Sequence, residues 1–225
     1  MIVLVVPVKD LVNAKQRLLS LLEPAERAAL ARAMLRDVLH ALTEAHLDAV
    51  WVVTRDPAVV AAVRPFGVEI VPEATNAGHT AAVAHAQTRA TSRGARVFAT
   101  VPGDVPCVTA EDIRALVGAV GEPPGVAFVP SRSGLGTNGV ALSPPDLMPL
   151  TFGEPSFENH LATAGRRGLT PRVLRLPRLG LDIDTPGDLR ALLTNGPDTE
   201  SGHLLVAWSI AERLGLGHPL GASER

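Results

Sequence analysis

Several residue types are scarce in this chain, and each shortage argues against a class of protein. The 225 residues include one cysteine, no tyrosine, two tryptophans and five phenylalanines. Because Cys107 has no second cysteine to pair with, it cannot form an internal disulfide, which is typical of a reducing compartment. The few aromatic side chains and the formal net charge of −2 argue against a surface that binds nucleic acid.

Hydrophobic runs are short throughout the sequence. The first, residues 2–8, contains Pro7 and has no basic segment before it, so it resembles neither a membrane span nor a secretory signal. We therefore expect a cytoplasmic protein with no membrane partner. A length of 225 residues fits one domain with a substantial core.

The alternation of residue types predicts an α/β fold. Short β-branched runs alternate with segments rich in alanine and leucine, as in βαβ units around a mostly parallel sheet flanked by helices. The predicted strands cover residues 2–8, 49–54, 68–71, 96–101, 126–130, 139–142, 172–176 and 180–183. The predicted helices cover residues 24–45, 57–63, 80–92, 110–120, 155–167 and 186–194.

A cluster of residues that break helices, Thr-Asn-Gly-Pro-Asp, predicts a division of the chain near residue 195. Residues 1–194 would form the main domain, and residues 195–225 an appended helix and tail. One helix is predicted over residues 204–214, and packing on its own domain is favoured over packing on a partner. Its apolar face would comprise Leu204, Leu205, Trp208, Ile210 and Leu214.

Lysine is the scarcer of the two strongly basic residues. Lys9 and Lys15 are the chain's two lysines, and both lie in VPVKDLVNAKQRL, which begins where the first hydrophobic run ends. A strand that runs into a loop with lysines is where α/β proteins commonly bind phosphates. A compact ammonium can also swing onto a phosphate oxygen more freely than a guanidinium can. Chance placement of two surface lysines is an equal alternative.

Three aspartates follow predicted strands. Asp182 and Asp184 are two residues apart in LGLDIDTPGDL, so a strand would project both on one side, where repulsion favours a cation between them. Hard oxygen ligands suit Mg²⁺, although Asp184 could instead cap the helix that begins at Pro186. Asp104 lies in the tight turn ATVPGDVP, where a turn aspartate bonded to its own backbone is the alternative. Together the three favour a site for Mg²⁺ and a nucleotide.

Two further segments could bind an anion. SGLGTNG lets the backbone approach a ligand closely and offers the hydroxyl of Thr137. FGEPSF places Ser156 at the start of a predicted helix, whose free N–H groups attract anions. The alternatives are a hairpin turn and an ordinary helix cap.

The remaining reactive residue types give no clear motif. His79, His85 and His160 lack the spacing of metal ligands, so we interpret each as a surface or core residue. Cys107 is interpreted as a packing residue. The sequence contains neither a phosphate-binding P-loop nor a G-x-S-x-G elbow.

Five motifs, taken in order along the chain, resemble those of the phospholactate guanylyltransferase family, CofC/FbiD, of coenzyme F-420 biosynthesis. They are VPVK…AK.RL, VPGDVP, G.GTNG, FG.PSF and LDIDTP.DL. The resemblance covers residues 1–194. It implies a Rossmann-like fold of the nucleotide-diphospho-sugar transferase, or GT-A, type. It also implies that GTP and a three-carbon phospho-acid give a guanylylated product and pyrophosphate. The acid would be 2-phospho-L-lactate, phosphoenolpyruvate or 3-phosphoglycerate.

The resemblance also implies roles for particular residues. Mg²⁺ would bind Asp104, Asp182 and Asp184, and the acid would contact Thr137, Gly153 and Ser156. We expect the triphosphate to contact Lys9, Lys15 and Arg17, with Lys9, Lys15 and Asp104 acting in catalysis. A homodimer and transfer of the product to the next enzyme of the pathway are further options.

The segment 76–82 departs from the family pattern. Thr80 stands where asparagine is expected to help hold the nucleotide, and threonine lacks the paired donor and acceptor of an amide. Two alternatives therefore stay open. One is another nucleotidyltransferase or sugar-nucleotide enzyme of the same fold, and the other is a non-catalytic scaffold that uses the appended helix as its interaction surface.

Overall fold

The computed structural model describes residues 1–11, 14–73 and 77–216. Seven strands form one sheet: β1 Ile2–Pro7, β2 Ala49–Thr54, β3 Glu69–Pro72, β4 Val97–Thr100, β5 Gly125–Pro130, β6 Thr137–Ser143 and β7 Arg172–Val173. The α-helices are α1 Pro24–Glu44, α2 Pro57–Val63, α3 His79–Ser92, α4 Ala110–Gly118, α5 Ser156–Arg166, α6 Pro186–Asn195, α7 Glu200–Ala207 and α8 Ile210–Arg213. The sequence-based prediction of these elements is confirmed, apart from shifts at their ends and the two exceptions below.

The sheet is mixed and mostly parallel, as predicted. Its strand order is β3-β2-β1-β4-β6-β5-β7. Strand β6 runs antiparallel to both neighbours, and the other adjacent pairs are parallel. Strand β1 lies centrally and is buried from Val3 to Pro7, which explains why its sequence is a continuous apolar run.

Three apolar clusters hold the layers together. One packs α1 and α4 against one face of the sheet through residues such as Leu35, Leu39 and Ile113. A second covers the opposite face with α3 and α5, including Val83 and Ala164. The third joins Leu30 and Met34 of α1 to α6, α7 and α8, with Leu189, Leu192, Leu205 and Ile210 buried in it.

The prediction of a strand at residues 180–183 is wrong. The chain turns before it, because the N–H of Gly180 donates to the Leu176 carbonyl and that of Leu181 to Arg178. Ile183 then donates to the Asp104 carbonyl at 3.1 Å, outside any strand ladder. Asp182 and Asp184 therefore lie on a coil segment held against the loop after β4.

The prediction of one helix at residues 204–214 is also wrong. Helix α7 begins earlier, at Glu200. The helical path is interrupted at Ser209, whose φ of 52° lies in the left-handed region. Leu205 and Ile210 are both fully buried in the same cluster. Five residues apart on one α-helix they would point about 140° away from each other, so the break lets both face the core.

The C-terminal helices pack on their own domain, as predicted. The boundary at residue 194 stays a prediction, and residues 217–225 of the predicted tail lie outside the described residues. Among the helices that the structure describes, none has the length and apolar composition needed to cross a membrane.

Candidate active site

The two lysines and three aspartates of the predicted site come from loops at one edge of the sheet. Lys9 and Lys15 follow β1, and Asp104 follows β4, its parallel neighbour, so the two loops begin side by side. Asp182 and Asp184 reach the same place through the coil before α6, tied to the Asp104 carbonyl. The carboxyl ends of parallel strands are where open α/β sheets bind ligands.

Lys15 lies between two of the predicted metal ligands. Its Nζ is 2.5 Å from Asp104 Oδ2 and 2.8 Å from Asp184 Oδ1, and its side chain is only 6% exposed. Burial alone would lower the pKa of Lys15, but the two carboxylates outweigh it and raise that pKa. The ammonium is therefore charged and offsets one of the two negative charges of this acidic pair. The backbone holds Lys15 at a φ of 58°, a conformation that a non-glycine residue seldom adopts.

Asp182 is held separately from this ion pair. The side-chain amide of Asn138 donates to its Oδ1 at 3.0 Å. Burial raises the pKa of Asp182, and the nearby charges of Asp104 and Asp184 add to the rise against the opposing Asn138 bond. Burial acts in the same direction on the pKa of Asp184, but the Lys15 ammonium outweighs it and lowers that pKa.

The alternative role of Asp184 as the cap of α6 is not what the structure shows. Thr185 is the N-cap of that helix and forms a capping box with Asp188. The carboxylate of Asp184 is instead turned to Lys15, with Arg17 Nη1 3.9 Å away at the surface.

Two adjacent cavities meet at Asp104, which lines both together with His79 and Pro102. The first, about 260 Å³, is lined by Lys9 and Lys15 as well. The second, about 280 Å³, contains the remaining predicted residues apart from Arg17 and Thr80: Thr137, Gly153, Ser156, Asp182 and Asp184. The structure therefore separates a cavity with lysines from one rich in hydroxyls and carboxylates, and Asp104 is the carboxylate that lines both.

The wall of the second cavity depends on conformations fixed by the fold. Thr137 begins β6 and Ser156 begins α5, and Ser156 Oγ donates to Thr137 Oγ1 at 3.3 Å. Gly153 has a φ of 109°, which side-chain-bearing residues rarely adopt, so the loop at this point requires glycine.

Thr80 holds the loop that carries Gly153. Its hydroxyl accepts a hydrogen bond from the Phe152 N–H at 2.9 Å and lies 3.4 Å from the Phe152 carbonyl. Its expected contact with the nucleotide stays a prediction, and Asn76 of the same segment lies outside the described residues.

The three histidines and the cysteine differ in their relation to the cavities. His85 is exposed, which is one of the two predicted options. His79 lines both cavities, and its pKa is lowered to about 4, mainly by burial. His160 is buried against the wall of the second cavity, next to Thr137. Cys107 is buried in the third apolar cluster, and burial raises the pKa of its thiol to about 11, so packing is confirmed.

Sequence reasoning did not identify two contributors to the site. Asn138 was overlooked although it lies inside the TNG segment, next to Thr137. His160 was set aside although it follows Ser156 by four residues, a spacing that places both side chains on the same face of a helix. That spacing was the signal available in the sequence.

The donor chemistry of the second cavity fits a hard divalent cation. Four carboxylates line it, those of Asp104, Glu154, Asp182 and Asp184, and no lysine or arginine lines it among the described residues. An anionic ligand would be repelled there unless a cation bound with it, and oxygen donors suit Mg²⁺. Lys15 pairs with two of the carboxylates. Within the part of the chain that the structure describes, no three metal-binding side chains are gathered as a ready-made centre.

Solved structures share this architecture. A protein from Desulfovibrio desulfuricans G20, described as a nucleotide-diphospho-sugar transferase, superimposes with a TM-score of 0.76 at 17% identity, over 95% of this chain and 96% of that one. The fold is thus that of the nucleotide-diphospho-sugar transferases, as predicted.

Sequence comparison narrows the class to a family. Residues 1–212 match the family described as "Guanylyl transferase CofC like". Proteins named phosphoenolpyruvate guanylyltransferase are similar to this chain: that of Rubrobacter xylanophilus is 40% identical over 85% of this chain and 93% of its own, and that of Sphaerobacter thermophilus 41% over 86% and 93%. The 2-phospho-L-lactate guanylyltransferase of Methanothermobacter thermautotrophicus is 33% identical over 89% of this chain and 88% of its own. The chain belongs to the CofC-like guanylyl transferase family.

Proposed function

We propose that this protein is a Mg²⁺-dependent guanylyltransferase that joins GMP from GTP to a three-carbon phospho-acid and releases pyrophosphate. The observation that supports this most directly is the pair of cavities that meet at Asp104. One offers ammonium groups for a triphosphate, and the other offers hydroxyls for a small acid. The names of the relatives supply the guanine nucleotide and the acid.

Among the acids, phosphoenolpyruvate is the first choice for this chain. Two relatives named for phosphoenolpyruvate, at 40% and 41% identity, are more similar to it than a relative named for 2-phospho-L-lactate, at 33%. Both acids carry a phosphate and a carboxylate, so the same hydroxyl-lined wall can hold either. The reaction would serve coenzyme F-420 biosynthesis, the pathway expected from the motif order.

The chemistry is a displacement at the α-phosphorus of GTP. An oxygen of the acid's phosphate forms the new P–O bond, the bond between the α-phosphorus and the bridging oxygen to the β-phosphate breaks, and its electron pair leaves with pyrophosphate. The attacking phosphate is already anionic at neutral pH, so no strong general base is required, and positioning with charge neutralisation does most of the catalysis.

Each group of residues has a role in this scheme. Lys9, exposed in the first cavity, and Lys15 would hold the triphosphate, with Arg17 at the rim. Asp104, Asp182 and Asp184 would hold Mg²⁺. The metal would supply neutralisation of the phosphate charges and a Lewis acid for the leaving group. Thr137, Gly153 and Ser156 would orient the acid.

The proposal is tested by pyrophosphate release with Mg²⁺ and GTP, run separately with phosphoenolpyruvate, 2-phospho-L-lactate and 3-phosphoglycerate. The next enzyme of the pathway is included as a trap, since the products are unstable. We expect release that requires GTP and one acid, phosphoenolpyruvate first, and that chelation abolishes.

Two matched variants serve as controls in the same assay. Asp182→Asn keeps the oxygen that accepts from Asn138 but removes the charge, so turnover should fall about 100-fold or more while the protein stays folded. Asp146→Asn changes an exposed aspartate and should leave turnover unchanged. Pyrophosphate release with another nucleotide, or without any of the acids, would overturn the proposed reaction. Near-normal turnover of Asp182→Asn would overturn the assignment of this aspartate to the metal.

Three properties stay predictions beside this reaction. A cytoplasmic protein is expected from the reducing-compartment composition, and a homodimer or direct transfer of the unstable product to the next enzyme would be visible by mass photometry and by co-purification.

A further inference from the structure

A buried histidine joins two parts of the acid cavity's wall. His160 is 1% exposed, on α5, one turn after Ser156. Its Nδ1 is 3.0 Å from Thr137 Oγ1 on β6, and its Nε2 is 3.1 Å from the backbone N of Thr151, in the loop that leads to Gly153. The ring stacks on Phe128, 5.4 Å away, so both nitrogens are fixed in direction.

These contacts determine which nitrogen carries the proton. A backbone N–H can only donate, so Nε2 must present its lone pair to Thr151. A neutral imidazole has one N–H, which therefore lies on Nδ1 and donates to Thr137 Oγ1. Burial lowers the pKa of His160 to about 4, so the ring is neutral at pH 7.

The position of this proton sets the role of the Thr137 hydroxyl. Thr137 Oγ1 accepts from His160 Nδ1 at 3.0 Å and from Ser156 Oγ at 3.3 Å. Both of its lone pairs are then used, so its own proton remains free to donate. The residue lines the second cavity, and a hydroxyl that can only donate is suited to an anionic oxygen.

We propose that His160 is a positioning residue for the acid substrate: its Nδ1–H fixes the Thr137 hydroxyl as a hydrogen-bond donor to a phosphate or carboxylate oxygen of the bound acid. This inference rests on the proposed function for the identity of the ligand. It assigns His160 a role in acid recognition rather than in nucleotide binding or in general acid–base catalysis.

Two substitutions separate the two ring nitrogens. His160→Gln offers a polar group near the Nε2 position and none near Nδ1, so it keeps the Thr151 contact and loses the Thr137 contact. His160→Asn does the reverse. We expect His160→Gln to raise the KM for the acid about tenfold, because the Thr137 hydroxyl is no longer held as a donor and its hydrogen bond to the charged acid is weakened. The KM for GTP should stay unchanged. His160→Asn should keep the KM for the acid within about threefold.

A second background distinguishes positioning from a purely structural role. Thr137→Val removes the hydroxyl and keeps the shape, so adding His160→Gln to it should raise the KM for the acid no further. His85→Asn, which changes an exposed histidine on α3, is the control and should match the wild type. Equal effects of Gln and Asn on the KM for the acid would overturn the proposal, as would an undiminished effect of Gln in the Thr137→Val background.

The tautomer has a readout that does not depend on activity. ¹⁵N NMR of the histidine side chains should show the His160 ring protonated at Nδ1 and not at Nε2. A ring protonated at Nε2 would overturn the inference. If the wild type released no pyrophosphate with any of the three acids while Nδ1 carried the proton, the proposed function and the ligand named here would both fall, but the hydrogen-bond arrangement would stand.

Discussion

Lys15 is the residue whose chemistry depends most on its surroundings. It carries a strained left-handed backbone and a 6% exposed side chain in order to reach two carboxylates at once. The chain uses arginine for nearly all its other strongly basic positions, so the ammonium at this position has a physical meaning. A small point charge fits between Asp104 and Asp184, whereas a planar guanidinium is larger and binds as a fork.

We therefore expect Lys15→Arg to be far from conservative. The larger group must displace one of the two carboxylates, so kcat/KM should fall about 100-fold or more, and the protein should lose roughly 1–3 kcal/mol of stability through overcrowding. Arg64→Lys, at an exposed position that lines neither cavity, is the matched control and should match the wild type. Steady-state kinetics and urea unfolding check both variants, and a Lys15→Arg enzyme with near-normal turnover would contradict the assignment.

At the scale of elements, α7 is attached to α1 by polar contacts as well as by its apolar face. The Asp37 carboxylate, on α1, accepts from the backbone N–H groups of Glu200 and Ser201 at 2.7 and 3.0 Å and from Ser201 Oγ at 2.6 Å. Burial raises the pKa of Asp37, and these three donors oppose that rise. The carboxylate also lies at the positive end of the α7 dipole, which favours a negative charge.

Removing this carboxylate should loosen the C-terminal helices. Asp37→Ala leaves three donors without their acceptor and should lower the free energy of unfolding by about 1–3 kcal/mol. Amide hydrogen exchange should increase first in α7 and α8. Arg32→Ala, at an exposed position of the same helix, is the control and should change neither quantity. If Asp37→Ala instead increased amide exchange uniformly across the sheet, the Asp37 contact would not act specifically on the attachment of α7.

At the scale of the whole molecule, two histidines with lowered pKa values link stability to pH. Burial lowers the pKa of both His79 and His160 to about 4, from an ordinary value near 6.5. Between these values the unfolded chain binds protons that the folded chain does not, so stability falls as the pH drops from about 6.5 towards 4. The raised pKa values of Asp37 and Asp182 act in the opposite direction, because there the folded chain binds the proton first.

The contribution of one histidine can be isolated by substitution. Relative to His160→Asn, the wild type should lose roughly 2–3 kcal/mol of unfolding free energy between pH 7 and pH 4.5, whatever constant difference separates the two proteins. Urea unfolding at four or five pH values measures this difference in slope. Parallel curves for the two proteins would show that His160 titrates normally in the folded state.

The sequence by itself determined the element types, because periodicity and breaker residues are local properties. The pattern after Pro24 predicted α1, and the β-branched runs predicted the seven observed strands to within a few residues, with one false strand at residues 180–183. The ordered motifs also identified eight of the residues that line the two cavities, among them Lys15, Asp104 and Thr137, and the family to which the chain belongs.

Only the tertiary structure decided the contacts between distant segments. Lys15 and Asp104 are 89 residues apart, and nothing local indicates that the ammonium pairs with two aspartates. The helix is interrupted at Ser209 so that Leu205 and Ile210 can both face one core. Residues 180–183 follow a turn and hydrogen-bond to the loop after β4 rather than to a strand. Which ring nitrogen of His160 carries the proton likewise depends on a contact outside its own helix, the backbone N–H of Thr151 in the loop before α5. These features follow from packing and hydrogen-bond satisfaction across the fold, which a one-dimensional pattern does not record.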